Sequence, residues 1–231
     1  MSTSEFDSNS LREVSKQFPV WPIASSSKNI VPRRSFYVLF KRSIDLLASA
    51  FLILLLSPVF LFISVLVKLQ DGGPAFFLQE RHGLNGSKFK IIKFRTMTTA
   101  ASSNGFVQCK SGDLRVTELG RVLRQTSLDE LPQLFNVFLG TMSLVGPRPH
   151  AIEHDFQYGS VLEKYWLRYS VLPGMTGLAQ VRGQRGPTLD VSQMSSRVSS
   201  DIEYVKRASL RLDISILFST VAVVLNGQNA I

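Results

Sequence analysis

The sequence predicts a mostly helical α+β protein hung on a broken apolar helix, and three observations carry that prediction. Leu46 to Val67, LLASAFLILLLSPVFLFISVLV, runs for 22 residues without a charge. Two short β-prone runs, Ala75–Gln79 and Lys88–Arg95, flank the turn-forming His82–Gly86 and read as a hairpin. From Val116 onward apolar residues return with mainly helical spacing, punctuated by glycine and proline.

At 1.5 Å per residue the apolar run extends roughly 33 Å, close to the thickness of a bilayer core. It reads as a membrane segment rather than a buried soluble helix. A cleaved signal peptide does not fit, because 45 residues precede the run and no Ala-x-Ala type site follows it before Lys68. Ser57-Pro58 interrupts it: Pro58 deletes a backbone hydrogen bond, and Ser57 can bond a freed carbonyl. Basic residues flank both ends, Arg33, Arg34, Lys41 and Arg42 before, Lys68, Arg81 and Lys88 after. Charge therefore picks no orientation. A kinked span and a helix that turns back to its starting face both remain open. Residues 1–40 are serine-rich and without period, and read as a mobile basic tail; 41–70 form the membrane element and 71–231 the remaining domain.

The 231 residues are 45% hydrophobic, enough for one medium domain plus an appendage. A net charge of +9 suits nucleic acid, anionic headgroups or phosphorylated substrates, and the apolar run favours the last two. Cys109 is the only cysteine, which excludes an internal disulfide and a cysteine-based zinc site. After a Ser-, Ala- and Gly-rich connection over Thr99–Gly112, helices are expected over Val116–Arg124, Leu131–Leu139, Ile152–Ser170 and Val191–Lys206. The glycine-rich stretch holding Pro173–Gly177 and Arg182–Gly186 reads as a loop that contacts something. Leu210–Leu225, with Arg211 and Asp213, is short for a span and reads as a helix packed on the core or lying in the interface.

The chemistry concentrates in Ser127–Leu134, SLDELPQL, and Val145–Pro149, VGPRP. Asp129 and Glu130 are adjacent carboxylates 19 residues before Arg148, whose backbone is stiffened by Pro147 and Pro149. A carboxylate can attack phosphorus or hold Mg²⁺, and a guanidinium clamps phosphate oxygens bidentately. Arg124, five residues before Asp129, adds a second cation for a diphosphate. A capping box with Ser127 as N-cap and Glu130 reaching back explains the same glutamate without catalysis, so both readings stand. Pro132 puts the carboxylates at a kinked helix start. Lys90, Lys93 and Arg95 read either as a solvated basic strand or as contacts to headgroup or nucleotide phosphate. His150 and His154 have the spacing of a metal pair, yet no His-Glu-x-x-His pattern accompanies them, so zinc is not expected.

Lys41–Asp45, the Ser57-Pro58 break, Glu80–Gly83, Lys93–Met97, Ser127–Glu130 and Val145–Pro149 together resemble the bacterial sugar transferases, the monotopic polyprenyl-phosphate phosphoglycosyltransferases. The resemblance runs from Arg34 to Ile231 and is to the minimal catalytic form. It implies a re-entrant membrane helix hinged at Ser57 and Pro58, and a small catalytic domain on the cytoplasmic face of the bacterial inner membrane. It implies Asp129 as nucleophile, Glu130 as its partner in Mg²⁺ binding or proton handling, and Arg124 and Arg148 as phosphate clamps. Lys93, Arg95, Asp201 and Tyr204 become candidate contacts to substrate or membrane surface. The implied reaction moves a sugar-1-phosphate from a UDP-sugar to undecaprenyl phosphate, with UMP released, through an aspartyl-phosphosugar. This would be the first step of exopolysaccharide repeat-unit synthesis. Gly174–Val181 and Arg182–Gly186 look more like the glucose-1-phosphate enzymes than the galactose ones. Membrane lipids and other polysaccharide-assembly enzymes are the expected partners, and nucleic acid is not. A basic membrane adaptor without catalysis and a diphosphate hydrolase are the rival classes; the adaptor leaves Asp129, Glu130 and Arg148 unexplained.

Overall fold

A computed structural model of the chain describes residues 35–99, 112–186 and 190–225. The expected tail lies outside these up to residue 34, as does the serine-rich connection over residues 100–111. The apolar run forms two helices, α1 (Ser35–Leu55) and α2 (Ser57–Asp71), bent by 62° where they meet. Pro58 falls in the first turn of α2, where its missing N–H costs nothing, and Ser57 Oγ donates to the Leu54 carbonyl at 2.8 Å. Among the described residues no single helix is long and apolar enough to cross a membrane; only the bent pair has that length and composition. One face of α2, Phe60, Ile63 and Val67, packs against Phe94, Leu123 and Leu134, each such burial worth roughly 1.5–3 kcal/mol. The opposite face leaves Leu61, Phe62, Val65 and Leu69 exposed.

The expected hairpin is present as β1 (Phe76–His82) and β2 (Lys88–Phe94), antiparallel from Phe76 opposite Phe94 to His82 opposite Lys88. β1 runs three residues past its expected end at Gln79, because Arg81 and His82 still find partners in Phe89 and Lys88. The outer edge of β2 is satisfied by one side chain: Asn136 Nδ2 donates to the Lys90 carbonyl at 2.7 Å, and its Oδ1 accepts from Ile92 N at 2.9 Å. Asn136 lies on α4 (Gln133–Leu139), which Gly140 ends in the left-handed conformation that glycine adopts most freely. Before it, α3 (Glu118–Gln125) starts with Thr117 Oγ1 accepting from Gly120 N at 2.9 Å.

Two corrections concern the second half. The glycine-rich stretch is not simply a loop: β4 (Gly174–Thr176) runs parallel to β3 (Ser143–Val145), and α6 (Leu178–Val181) follows. A Cβ on Gly174 would lie 2.0 Å from Gly146 N, so glycine is what allows the two backbones to meet. The stretch over 152–170 is not one helix but α5 (Ile152–Gly159) and a 3-10 turn over Tyr165–Ser170. Gly159 sits under Trp166, and Tyr158, Tyr165, Trp166 and Tyr169 pack on Met194, Val198 and Ile202 of α7 (Val191–Arg207). The last helix, α8 (Leu210–Leu225), buries Ile216 and exposes Ile214, Phe218 and Val221.

The first helix is clamped to this domain by polar contacts. Arg42 donates to the carbonyls of Val137 and Phe138 at 2.6 and 2.8 Å, and Asp45 accepts from Leu144 N at 3.0 Å. Tyr37 and Lys41 each reach Asp213 Oδ2 at 2.9 Å.

Candidate active site

Ser127 decides where the carboxylates go. It adopts φ 58°, a left-handed conformation costing a non-glycine residue roughly 1 kcal/mol, and starts a 3-10 turn over Leu128–Glu130. Its hydroxyl caps nothing and instead accepts from Arg185 Nη2 at 3.0 Å, so the capping-box reading fails. Pro132 then serves as N-cap residue of α4, which explains why the helix does not begin at Ser127. Asp129 points inward and is buried.

Glu130 gathers the cations. Its carboxylate accepts from Lys93 Nζ at 2.8 Å and from both Arg148 Nη atoms, Nη1 at 2.9 Å, while Arg185 Nη2 stands 3.9 Å away. Lys93 arrives from β2, Arg148 from the turn after β3, and Arg185 from the segment after α6. Arg124 on α3 donates through Nε to Thr96 Oγ1 at 2.9 Å. A Cβ on Gly120 would fall 2.1 Å from the Thr96 carbonyl, so glycine there brings α3 close enough for that bond.

Electrostatics separates the two acids. Burial raises the Asp129 carboxyl, Lys93 pulls it back, and the charge of Glu130 raises it further, leaving it above the usual aspartate range. Burial also opposes the charge on Glu130, but Arg148 and Lys93 outweigh it and hold that carboxyl well below the usual range. Burial pushes the Lys93 ammonium down, whereas Arg148 is pushed up because Glu130 more than offsets its burial. Neighbouring carboxylates driven apart in this way are suited to different roles.

The other sequence candidates occupy structural positions. The Arg95 guanidinium is spent on Asp71 at 2.5 Å twice, on the Pro74 carbonyl at 2.7 Å and on the Val67 carbonyl at 3.2 Å, so it fastens β2 to the end of α2. Asp201 accepts from Arg168 Nε and Nη2 at 3.0 and 2.7 Å. Arg168 in turn donates to the Arg148 carbonyl at 2.6 Å and to His150 Nδ1 at 2.7 Å. Asp201 thus reaches the site through Arg168. The Tyr204 hydroxyl lies 2.7 Å from Asp213 and 3.1 Å from the Val145 carbonyl, joining α7 to β3. His82 meets Asp155 Oδ2 at 2.7 Å, and Tyr165 and Tyr169 donate to Asp155 Oδ1. Arg185 and Arg168 were not among the sequence candidates. Arg185 stood in a stretch read as a contacting loop and as a pointer to glucose, with no role given to the residue itself; the cation amid Tyr165, Trp166 and Tyr169 was the signal for Arg168.

No group of three or more His, Cys, Asp or Glu arranged for a metal occurs among the described residues. Mg²⁺, however, characteristically takes one or two carboxylates and completes its shell with phosphate oxygens and water. Asp129, a hard oxygen donor that takes no hydrogen bond from a described side chain, fits that demand, with Glu130 beside it.

A buried carboxylate beside an ion-paired one, ringed by Lys93, Arg124, Arg148 and Arg185, defines a site built to handle phosphoryl groups. The bacterial sugar transferase family matches residues 36–227, and the chain belongs to that family. It is 44% identical over 203 residues to the UDP-glucose:undecaprenyl-phosphate glucose-1-phosphate transferase of Klebsiella pneumoniae, covering 88% of this chain and 43% of that protein. A protein of the same name from Caulobacter vibrioides is 47% identical over 190 residues, 82% of this chain and 71% of its own length. The UDP-N-acetylgalactosamine-undecaprenyl-phosphate N-acetylgalactosaminephosphotransferase of Aeromonas hydrophila is 40% identical over 194 residues, 84% and 45% of the two chains. The chain therefore spans less than half of the Klebsiella and Aeromonas relatives.

Proposed function

We propose that the chain transfers glucose-1-phosphate from UDP-glucose to undecaprenyl phosphate and releases UMP, as the opening step of exopolysaccharide synthesis. The observation that carries this reading is Asp129, a buried carboxylate with no hydrogen-bond donor among the described residues, set against Glu130 and its cations. Desolvation leaves such an oxygen a better nucleophile than one in water.

In this reading an Asp129 carboxylate oxygen attacks the sugar-bearing phosphorus. The bond from that phosphorus to the bridging oxygen breaks, and UMP leaves with that oxygen and its electron pair. An oxygen of undecaprenyl phosphate then attacks the same phosphorus and expels the Asp129 carboxylate, with no proton consumed in either half. Lys93 and Arg148 exchange Glu130 for phosphate oxygens, and Arg124 adds charge as it develops. Mg²⁺ held by Asp129 and Glu130 would supply charge neutralisation across the diphosphate. Glu130 keeps the cations positioned between turnovers.

The bent helix pair is, in the same reading, re-entrant: α1 and α2 enter and leave one leaflet of the bacterial inner membrane, with the domain on the cytoplasmic face. The exposed apolar faces of both helices and the basic flanks support this. UMP release by the detergent-solubilised chain, with UDP-glucose, UDP-galactose and UDP-N-acetylgalactosamine, tests the function. Turnover with UDP-glucose that needs the lipid, and its loss in Asp129→Asn, are expected. Substantial UMP release by Asp129→Asn would overturn the nucleophile, and lipid-independent release would indicate a hydrolase.

A further inference from the structure

Two arginines, Arg81 and Arg197, lie in the field of Arg148 and form no ion pair with a carboxylate among the described residues. Arg197 stands on α7 one turn before Asp201, and its Nη2 donates to the Gly186 carbonyl at 2.9 Å. Arg81 comes from the other side, on β1, where its backbone bridges to Ala151; its Nη2 donates to Gln79 Oε1 at 2.5 Å. In each the Nε is buried and unpartnered.

The surroundings worsen their position. Burial pushes both guanidinium groups down, Arg148 repels Arg81, and Arg168 and Arg148 repel Arg197. His154 feels the same field, pushed down by burial and then by Arg81. Nearby acids are committed elsewhere: Asp201 to Arg168, and Asp155 to His82, Tyr165 and Tyr169, although Asp155 and Glu153 still draw on Arg81. Arginine cannot shed its proton, so two half-buried forks, each with a buried and unpartnered Nε, are destabilising unless an anion completes them.

We propose that Arg81 and Arg197, together with Arg148, form a second phosphate subsite adjoining the Asp129–Glu130 pair, which holds the phosphate that is not under attack. The ligand class is a phosphate monoester dianion, either the departing nucleotide monophosphate or the headgroup of the polyprenyl phosphate; its identity rests on the transferase reading. When the bond to the leaving oxygen breaks, negative charge collects on that second phosphate. Arg81 and Arg197 absorb it beside Arg148, so that Lys93 is not drawn from the phosphorus under attack.

The test uses the full chain in detergent, as parent, Arg197→Gln, Arg81→Gln and Arg197→Lys. UMP, uridine and a short-chain polyprenyl phosphate are titrated separately, and the ligand-free Tm is recorded. Each glutamine variant is expected to bind UMP about tenfold more weakly or worse, with uridine unaffected. Arg197→Lys, which keeps the charge and loses the fork, falls between. The ligand-free Tm of Arg197→Gln stays equal or rises, because a repelled cation has gone. Unchanged UMP affinity with tenfold weaker binding of the lipid phosphate assigns the subsite to the lipid. Unchanged affinity of both glutamine variants for both phosphates, in a parent that binds them, overturns the subsite alone, as does a lowered Tm with affinities intact. A parent that binds neither phosphate overturns the transferase reading and this inference with it.

Discussion

Arg168→Met tests how the Arg148 turn is held from behind. Arg168 is wholly buried and meets Asp201 at 3.0 and 2.7 Å, the Arg148 carbonyl at 2.6 Å and His150 Nδ1 at 2.7 Å. Removing it strands the Asp201 carboxylate, at about 3–5 kcal/mol. The Arg148 carbonyl, which loses its donor, adds about 1–3 kcal/mol, whereas His150 Nδ1 keeps the Tyr165 hydroxyl at 2.6 Å. Against a total stability of about 5–15 kcal/mol, the single variant should be unfolded or close to it. Adding Asp201→Leu removes the stranded charge and leaves only the Arg148 carbonyl unsatisfied, so the double variant should be about 3–5 kcal/mol more stable than Arg168→Met. Urea denaturation followed by tryptophan fluorescence measures the stability, and UMP release measures the turn. Folding should return in the double variant while UMP release stays depressed, because the Arg148 carbonyl still has no donor. A double variant no more stable than Arg168→Met would refute the buried-charge reasoning; one that regains the parent rate would refute the positioning role.

Other consequences concern charge and packing. Glu130 has a carboxyl held below its unfolded value of about 4.3, so its stabilising contribution is present above that pH and fades as pH falls below it. The urea midpoint of Glu130→Gln should lack this acid-side loss. Lys93 lowers the Asp129 carboxyl, so in Lys93→Met the acid limb of UMP release, which reports the coupled pair, should move to higher pH; an unmoved limb would show that Lys93 does not govern that acid. Gly174→Ala would press a Cβ to 2.0 Å from Gly146 N, backbone that cannot rotate away, and should cost at least about 1–3 kcal/mol in denaturation. Arg95→Lys should lower the Tm and leave the KM for UDP-glucose unchanged, since its five acceptor atoms are all within the fold.

The bent helix, the hairpin and most helices were legible because each is local: an uncharged run with Ser57-Pro58, two β-prone runs around a turn, and glycine stops such as Gly140. The β3–β4 pair was not, since three-residue strands carry no period and their partners are far apart in sequence. Within the site, Asp129, Glu130 and Arg148 stood out by spacing, and the structure brings Lys93 to the same carboxylate. Strand alternation said nothing of that, because β2 divides its faces poorly. Arg95 and Asp201 looked like ligand contacts for want of any sequence signal for Asp71 or Arg168, each dozens of residues away. Ser127 looked like an ordinary cap, and only its left-handed backbone reveals that it turns Asp129 inward.

The contacts from Tyr37, Lys41, Arg42 and Asp45 to Asp213, to the end of α4 and to the residue between Ser143 and Val145 fix more than the orientation of α1. They make the helix and the Asp129–Glu130 pair parts of one ruler. Whatever surface supports α1, these contacts set the height of the pair above it. A lipid-borne phosphate presented too deep or too shallow would miss the carboxylate by the same ångströms each time. In the proposed reading, selection among lipid acceptors acts through headgroup depth.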